Sequence, residues 1–228
     1  DLRPLILRRD KVGIIGPNGA GKSTALKLLA GILRPDAGDA SVLGLDLFDE
    51  TERIKRRIGY VAQHFALYPD LTVDENIAFY GGLYGVDDPG RRVELLETYD
   101  LAQFAGRRAG QLSGGYQRRL AMAAATMHDP ELIFLDEPTA VLTPQESARL
   151  FSVLTQLRDQ GKSILFISHK MREVMQISDR VTILKKGHSI ATLERGDFDE
   201  NRLASLMIGV DQILWTQDPF SESGRRIQ

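Results

Sequence analysis

The chain contains no cysteine, and this absence excludes disulfide bonds and cysteine-ligated metal centres and suits a reducing cytosol. It also lacks a basic surplus of the kind that marks nucleic-acid binding, because 29 Lys and Arg stand against 31 Asp and Glu. No apolar run approaches the roughly 20 residues that span a bilayer, and no secretory signal is visible at the start. If the protein works at a membrane, we expect other chains to supply the spanning part.

The remaining composition is that of an ordinary globular protein: 228 residues, 43% of them hydrophobic and 26% charged. This length suits one domain, or one domain with a small appended subdomain. Short apolar runs predict buried parallel strands at residues 12–15, 58–62, 132–135 and 164–167. Because helical stretches separate these runs, the sequence predicts an α/β fold with a largely parallel sheet flanked by helices.

A mainly helical segment, from about residue 69 to residue 110, interrupts this alternation. Thr72 and Glu75 predict a capping box that opens a helix toward Tyr84, and residues 91–99 predict a second helix. We therefore expect an inserted helical subdomain between two parts of one core, 1–68 and 111–210.

The second half of the chain carries further boundary signals. Thr143 and Glu146 predict another capping box, with Pro144 at the first helical position and a helix end near Gly161. Residues 181–187 and 189–193 predict a hairpin. The polar tail, 211–228, is expected to be irregular, so that residues 1–228 form a single domain.

A glycine-rich loop with the pattern G-x-x-x-x-G-K-[ST] follows the first predicted strand and precedes a helical stretch. Its backbone N–H groups and the positive end of the helix dipole favour a bound phosphate. Lys22 can reach the β and γ phosphates, and the Ser23 hydroxyl can hold Mg²⁺. The alternative is a glycine-rich turn with a chance lysine, which leaves the flanking strand and helix unexplained. The loop consists of Gly16, Pro17, Asn18, Gly19, Ala20, Gly21, Lys22, Ser23 and Thr24.

Two acids, Asp136 and Glu137, follow the third predicted strand. A carboxylate at Asp136 can bind Mg²⁺ directly or through water. Glu137 can then orient or deprotonate a water near the γ phosphate. Taken alone, the pair is equally compatible with two solvated acids at a strand end. Beside a phosphate loop, the catalytic interpretation is favoured.

A second glycine-rich segment, Leu-Ser-Gly-Gly-Tyr-Gln at residues 112–117, resembles the signature sequence of the ABC ATPases. Taken alone, it predicts a helix start that binds an anion, with Ser113 as the cap of a helix through Met127. The resemblance implies that Ser113, Gly114 and Gly115 reach the ATP of a second, facing subunit. Two such composite sites would form across a two-fold axis.

Two further residues match the same family in order and placement. Gln63 follows the second predicted strand and resembles the lid glutamine, which senses the γ phosphate or the metal beside the permease-docking surface. His169 follows the fourth strand and resembles the switch histidine, which bonds the γ phosphate and holds Glu137 and water in place. A lone glutamine or histidine is more often a surface or structural residue, so both roles rest on the resemblance.

The resemblance covers residues 11–210 and implies an ATP-binding and ATP-hydrolysing subunit that powers transport by an ABC transporter. ATP and Mg²⁺ are the implied cofactors. A second ATP-binding subunit, identical or different, and transmembrane permease subunits are the implied partners, and no nucleic acid is expected. The implied location is cytoplasmic, on the inner face of the cell membrane. The solute and the direction of transport stay open.

The sequence also departs from that family. Relatives place an aromatic residue that stacks on adenine ahead of the phosphate loop, whereas residues 1–10 contain no aromatic. We expect a shortened antiparallel β part and weaker nucleotide affinity. Thr143 stands where many relatives have aspartate. Residues 58–85 resemble exporters of drugs or polymers and residues 136–209 resemble sugar or nucleoside importers, a mixture that a recombined chain would explain.

Three alternatives remain at this point. A soluble ABC protein acting on ribosomes or DNA usually has tandem ATPase domains, long inserts or basic arms, and none of these is found in the sequence. The second is a non-catalytic module that dimerises with an active partner. The presence of Lys22, Asp136, Glu137 and His169 disfavours this alternative, whereas the short segment ahead of the first predicted strand is compatible with it. The third is a chimeric or truncated domain with impaired nucleotide binding.

Overall fold

A computed structural model of the chain describes residues 10–64 and 66–208. Its strands are short, and three of the eight are buried at every residue. They are β1 (Lys11–Ile15), β2 (Ser41–Val42), β3 (Leu45–Asp46), β4 (Ile58–Val61), β5 (Leu132–Asp136), β6 (Ser163–Ile167), β7 (Arg180–Lys185) and β8 (His188–Glu194).

Helices connect most of these strands and cover the faces of the sheet. They are α1 (Lys22–Leu29), α2 (Thr51–Lys55), α3 (Val73–Leu83), α4 (Pro89–Thr98), α5 (Gly114–Thr126), α6 (Pro144–Asp159), α7 (Met171–Ile177) and α8 (Glu200–Ile208). No helix within the described residues is both long enough and apolar enough to cross a membrane.

The main sheet has six strands in the order β4-β5-β6-β1-β7-β8. The first five in this order run parallel to their neighbours, and β8 runs antiparallel to β7. β2 and β3 form a separate antiparallel pair. The predicted α/β fold with a largely parallel sheet is therefore confirmed.

Residues that alternate along a strand point to opposite faces of this sheet, and each face has its own apolar cluster. Ile133 and Leu135 of β5 pack in the cluster formed with α3, α5 and α6. Leu132 and Phe134 of the same strand pack in the cluster formed with α1 and α2. A strand buried on both faces must be apolar throughout, which is why these strands appear in the sequence as continuous hydrophobic runs.

The predicted element boundaries agree closely with the structure. The apolar runs lie in β1, β4, β5 and β6, apart from Ala62, which follows β4. Both predicted capping boxes are present, at Thr72 and Thr143. α6 ends before Gly161, which has a left-handed backbone with φ 96°. The predicted hairpin is confirmed as β7 and β8.

The segment between β4 and α5 contains α3, α4 and two single 3₁₀ turns, Ala102–Phe104 and Ala109–Gln111. Its helical character is as predicted, whereas the division of the chain into a core and an inserted subdomain stays a prediction. Two expectations concern residues outside the described part of the chain. They are the shortened antiparallel β part ahead of β1, at residues 1–9, and the irregular tail at residues 211–228.

Replacing Thr72 by alanine should lower the free energy of unfolding by about 1 kcal/mol. The Thr72 hydroxyl accepts a hydrogen bond from the Glu75 N–H at 3.2 Å, and the Glu75 carboxylate accepts one from the Thr72 N–H at 2.7 Å. Urea denaturation measures the loss. The control is Ser152→Ala on the exposed face of α6, where the helix propensity of alanine predicts no loss. Equal stability of the Thr72 variant and the parent chain would contradict the assignment.

Candidate nucleotide-binding site

The phosphate loop connects β1 to α1 and requires glycine at two places. A side chain at Gly16 would place its Cβ 2.1 Å from the Leu184 carbonyl oxygen, closer than two non-bonded atoms can approach. Gly21 is the N-cap of α1 with a left-handed backbone, φ 89°, a conformation that costs glycine little. The loop is therefore held tightly against β7 and directs the N-terminus of α1 into the site.

Lys22 is buried in this loop, with 8% of the residue exposed. Its ammonium group donates hydrogen bonds to the Gly16 carbonyl oxygen at 2.8 Å and to the Pro17 carbonyl oxygen at 3.0 Å. Burial lowers the pKa of Lys22, while the carboxylates of Glu137 and Asp136 act in the opposite direction. The structure thus concentrates a positive charge at the loop, where an anionic phosphate chain would compensate it.

Ser23 and Asp136 bring together oxygen atoms suitable for a hard cation. The Ser23 hydroxyl donates a hydrogen bond to Asp136 Oδ1 at 3.0 Å, and Asp136 is only 3% exposed. Within residues 10–64 and 66–208, no cluster of three or more His, Cys, Asp and Glu side chains could hold a metal ion. Mg²⁺ needs no such cluster, because it is usually bound by one or two carboxylates together with substrate phosphates and water. The donor set present therefore fits Mg²⁺.

Glu137 and His169 form a close pair at the ends of two neighbouring strands. Glu137 Oε2 lies 2.8 Å from His169 Nδ1. Glu137 has a left-handed backbone with φ 50°, an uncommon conformation for a residue other than glycine. Its N–H donates to the Ile167 carbonyl oxygen at 3.1 Å, which keeps the turn after β5 against β6. A carboxylate held in this way can accept a proton from water while the imidazole restrains its orientation.

One cavity of about 820 Å³ collects most of the predicted residues. It is lined by the whole phosphate loop together with Gln63, Glu137 and His169. Met207 of α8 also lines it, and nothing in the sequence pattern pointed to this residue. Among the described residues that line the cavity, none is Phe, Tyr or Trp. The weaker nucleotide affinity expected from the sequence stays a prediction.

The predicted signature segment lies apart from this cavity. Ser113, Gly114 and Gly115 are not among the described residues that line it. Ser113 is the N-cap of α5, but its side chain makes no capping hydrogen bond, so the expectation of a side-chain cap is wrong. Ser113 is an exposed residue at the start of the helix. A side chain at Gly115 would place its Cβ 2.0 Å from Glu146 Oε1, so this position requires glycine.

A family model described as "ABC transporter" matches residues 6–140, more than half of the chain. This chain belongs to the ABC transporter family. The match covers the phosphate loop, the parallel strands β1, β4 and β5, and the acidic end of β5.

Relatives of this chain include ATP-binding proteins of resistance and of import. The linearmycin resistance ATP-binding protein of Bacillus subtilis is 39% identical over 185 residues, which cover 80% of this chain and 60% of that protein. The glucose import ATP-binding protein of Haloferax volcanii is 37% identical, over 90% of this chain and 44% of that protein. The chain thus spans between about half and three fifths of the length of these two relatives.

Solved structures of ABC ATP-binding cassettes have the same fold. An ATP-binding subunit of an ABC transporter superposes with a TM-score of 0.79 at 25% identity, covering 91% of this chain and 90% of that one. A dimeric cassette in a post-hydrolysis state, bound to ADP and Pi, superposes with a TM-score of 0.76 at 30% identity, covering 85% and 89% of the two chains.

A buried arginine that the sequence analysis missed connects three backbone segments next to this ABC-type site. Arg118 of α5 is 1% exposed. Its guanidinium donates to the carbonyl oxygens of Pro138 at 3.1 Å and Asp136 at 3.0 Å, and also to that of Ala62. Burial lowers the pKa of Arg118 to about 10, although Asp136 and Glu137 act in the opposite direction. An arginine five residues after a predicted helix cap carries no signal in the sequence, because only the fold brings these carbonyl groups to it.

Replacing Arg118 by leucine should lower the free energy of unfolding by about 3 kcal/mol or more, because buried carbonyl groups lose their donor. Urea denaturation followed by circular dichroism measures this loss. The matched control is Arg53→Leu, since the Arg53 side chain is 69% exposed in a surface pair with Glu50. That change should cost less than about 1 kcal/mol. Similar losses in the two variants would mean that Arg118 does not have the proposed structural role.

Proposed function

We propose that the chain binds and hydrolyses ATP and so powers the transport of a solute across a membrane by an ABC transporter. The observation that carries this proposal is the shared cavity. A loop suited to phosphates and the Glu137–His169 pair, 2.8 Å apart, face the same space. Family membership and ATP-binding relatives in both import and resistance support the same conclusion.

In this proposal the phosphate loop holds the triphosphate. Backbone N–H groups at the start of α1 and the Lys22 ammonium neutralise its charge. Ser23 and Asp136 hold Mg²⁺, with Gln63 near the γ phosphate or the metal. When bound, Mg²⁺ supplies charge stabilisation to the phosphate oxygens. The protein atoms need little movement for this, because Ser23 and Asp136 are already 3.0 Å apart.

Hydrolysis is assigned to Glu137 and His169. Glu137 accepts a proton from the attacking water, and His169 keeps the carboxylate oriented and contacts the γ phosphate. The hydrogen bond between the two side chains supports these roles, because a base that is held in place loses less freedom on the way to the transition state.

A second ATP-binding subunit completes the site in this proposal. Ser113, Gly114 and Gly115 lie outside the cavity of their own chain, and Ser113 and Gly114 are exposed. They are therefore available to close the ATP site of a facing subunit, as a helix N-terminus suits a phosphate. The dimeric relative that holds ADP and Pi supports this arrangement.

Permease subunits are the proposed membrane partners. A separate cavity of about 360 Å³ opens near Gln63, between the end of β4 and the helices α3 and α5. Its wall is largely apolar and includes Ile32, half exposed, and Tyr84. An apolar segment of a permease could dock there and move with the region around Gln63. The chain would then work in the cytoplasm on the inner face of the cell membrane.

Glu137→Gln should still bind ATP but hydrolyse it more slowly by about 10²- to 10⁴-fold, because glutamine keeps the shape and cannot accept the proton. Phosphate release measures turnover and fluorescence of a labelled ATP analogue measures binding. The control is Glu97→Gln at an exposed position of α4, where turnover should not change. Unchanged turnover in the Glu137 variant would remove it as the base, and a parent chain without phosphate release would favour the non-catalytic alternative.

A cysteine placed at Ile32 should cross-link to a membrane subunit in membranes that contain the assembled transporter. Because the chain has no cysteine of its own, a thiol-specific cross-linker reacts on this subunit only at the introduced position. Gel shift and mass spectrometry identify the product. Ser152→Cys, exposed on α6, is the matched control, and cross-linking from it but not from position 32 would place the permease elsewhere.

A further inference from the structure

Glu137 and His169 lie on the two loops that follow β5 and β6. The backbone pairing between these two strands ends before it reaches either residue. β5 and β6 are in register up to Asp136 opposite Ile167. The Glu137 N–H then donates to the Ile167 carbonyl oxygen at 3.1 Å, and no later backbone hydrogen bond between the two loops is found within the described residues. Some other interaction must set the distance between the two loops.

Glu173, in the first turn of α7, connects both loops through one oxygen atom. Its Oε2 accepts a hydrogen bond from the Thr139 hydroxyl, two residues after Glu137. The same oxygen accepts one from the Ser168 hydroxyl at 3.4 Å, directly before His169. Thr139 and Ser168 are completely buried, and the Glu173 side chain is 15% exposed. A hydrogen bond to a charged carboxylate in such surroundings is stronger than one in water.

Lys170 closes the arrangement and compensates the charge of Glu173. Its ammonium group lies 3.1 Å from Glu173 Oε1 and donates to the Thr139 carbonyl oxygen at 2.8 Å. Its backbone N–H donates to the Ser168 hydroxyl at 3.1 Å. These contacts form a closed polar network, here called the Glu173 network, of Thr139, Ser168, Lys170 and Glu173. It joins the loop that follows β5 to the loop between β6 and α7.

We infer that Glu173 is a positioning residue that sets the separation of Glu137 and His169 by holding their two loops through the Thr139 and Ser168 hydroxyls. The inference rests on the proposed function and adds to it a residue that does not line the cavity of the phosphate loop. Movement of a catalytic group by about 1 Å can cost roughly 100-fold in rate. The Glu173 network is thus a determinant of the hydrolysis rate rather than of ATP binding.

A purely structural explanation of Glu173 makes a different prediction. An acid in the first turn of a helix stabilises that helix through the helix dipole, and this would explain Glu173 without the loops. Glu173→Asp separates the two explanations. Aspartate keeps the charge at the start of α7, but it is one methylene shorter and cannot reach both hydroxyls.

In the full chain, Glu173→Asp should lower kcat by about 10- to 100-fold and leave ATP affinity within about twofold of the parent. Phosphate release and binding of a fluorescent ATP analogue measure the two quantities, and the thermal midpoint controls for folding. Glu52→Asp is the matched control, because Glu52 lies in the first turn of α2 and pairs with Lys55 at 2.8 Å on the surface. An unchanged kcat, or a loss confined to ATP affinity or to the thermal midpoint, would overturn the inference.

A second variant tests the same contact from the other side. Thr139→Val removes the hydroxyl and keeps the shape of the side chain, and it should lower kcat with unchanged ATP affinity. Because both residues act through one network, the double variant with Glu173→Asp should lose little more than the larger single effect. Full additivity of the two losses would contradict a shared role.

The ¹⁵N resonance of His169 provides a readout that does not need activity. The chain has four histidines, so the signal can be assigned by substitution. Loss of the hydrogen bond between His169 Nδ1 and Glu137 should shift this resonance in Glu173→Asp and not in Glu52→Asp. If the parent chain hydrolyses no ATP, the proposed function fails, whereas the positional inference is still decided by this shift. An unshifted resonance would refute it.

Discussion

The parallel pairing of β1, β5 and β6 is the constraint on which the site depends. Parallel neighbours end at the same edge of a sheet, so the loops that follow these strands are forced together. In this way Lys22, Glu137 and His169 meet around one cavity although they are far apart in the chain, and Asp136 comes within hydrogen-bond distance of Ser23. The strands keep this register because both of their faces are buried, and a slip of one residue would exchange the two apolar clusters.

Beyond the last paired residues of β5 and β6, hydrogen bonds from buried polar side chains hold the loops in place. Arg118 donates hydrogen bonds to the carbonyl oxygens of Asp136, Pro138 and Ala62. Glu173 accepts hydrogen bonds from hydroxyls of the two loops that carry Glu137 and His169. Charged groups in such places are costly unless they are fully hydrogen-bonded. We explain their presence by the precision they add, because loops without regular structure need specific contacts to hold the proposed catalytic groups in place.

Much of this architecture was accessible from the sequence, and the reason differs for each part. The buried strands and both capping boxes were predicted because local composition and spacing encode them. The prediction that the Ser113 side chain caps α5 was wrong, because Ser113 occupies the N-cap position and its side chain makes no capping hydrogen bond. Met207 and Arg118 could not be predicted, since each acquires its surroundings only when separate elements pack.

The sequence alone determined the family and the phosphate loop, because that loop is a continuous segment whose glycines, lysine and serine must stand at fixed spacing. It also determined the order of the strands along the chain. Only the tertiary structure decided which distant side chains touch: Ser23 with Asp136, Glu137 with His169, and Glu173 with both loops. Such contacts depend on the order of strands within the sheet and on helix packing, and neither is written in any local run of residues.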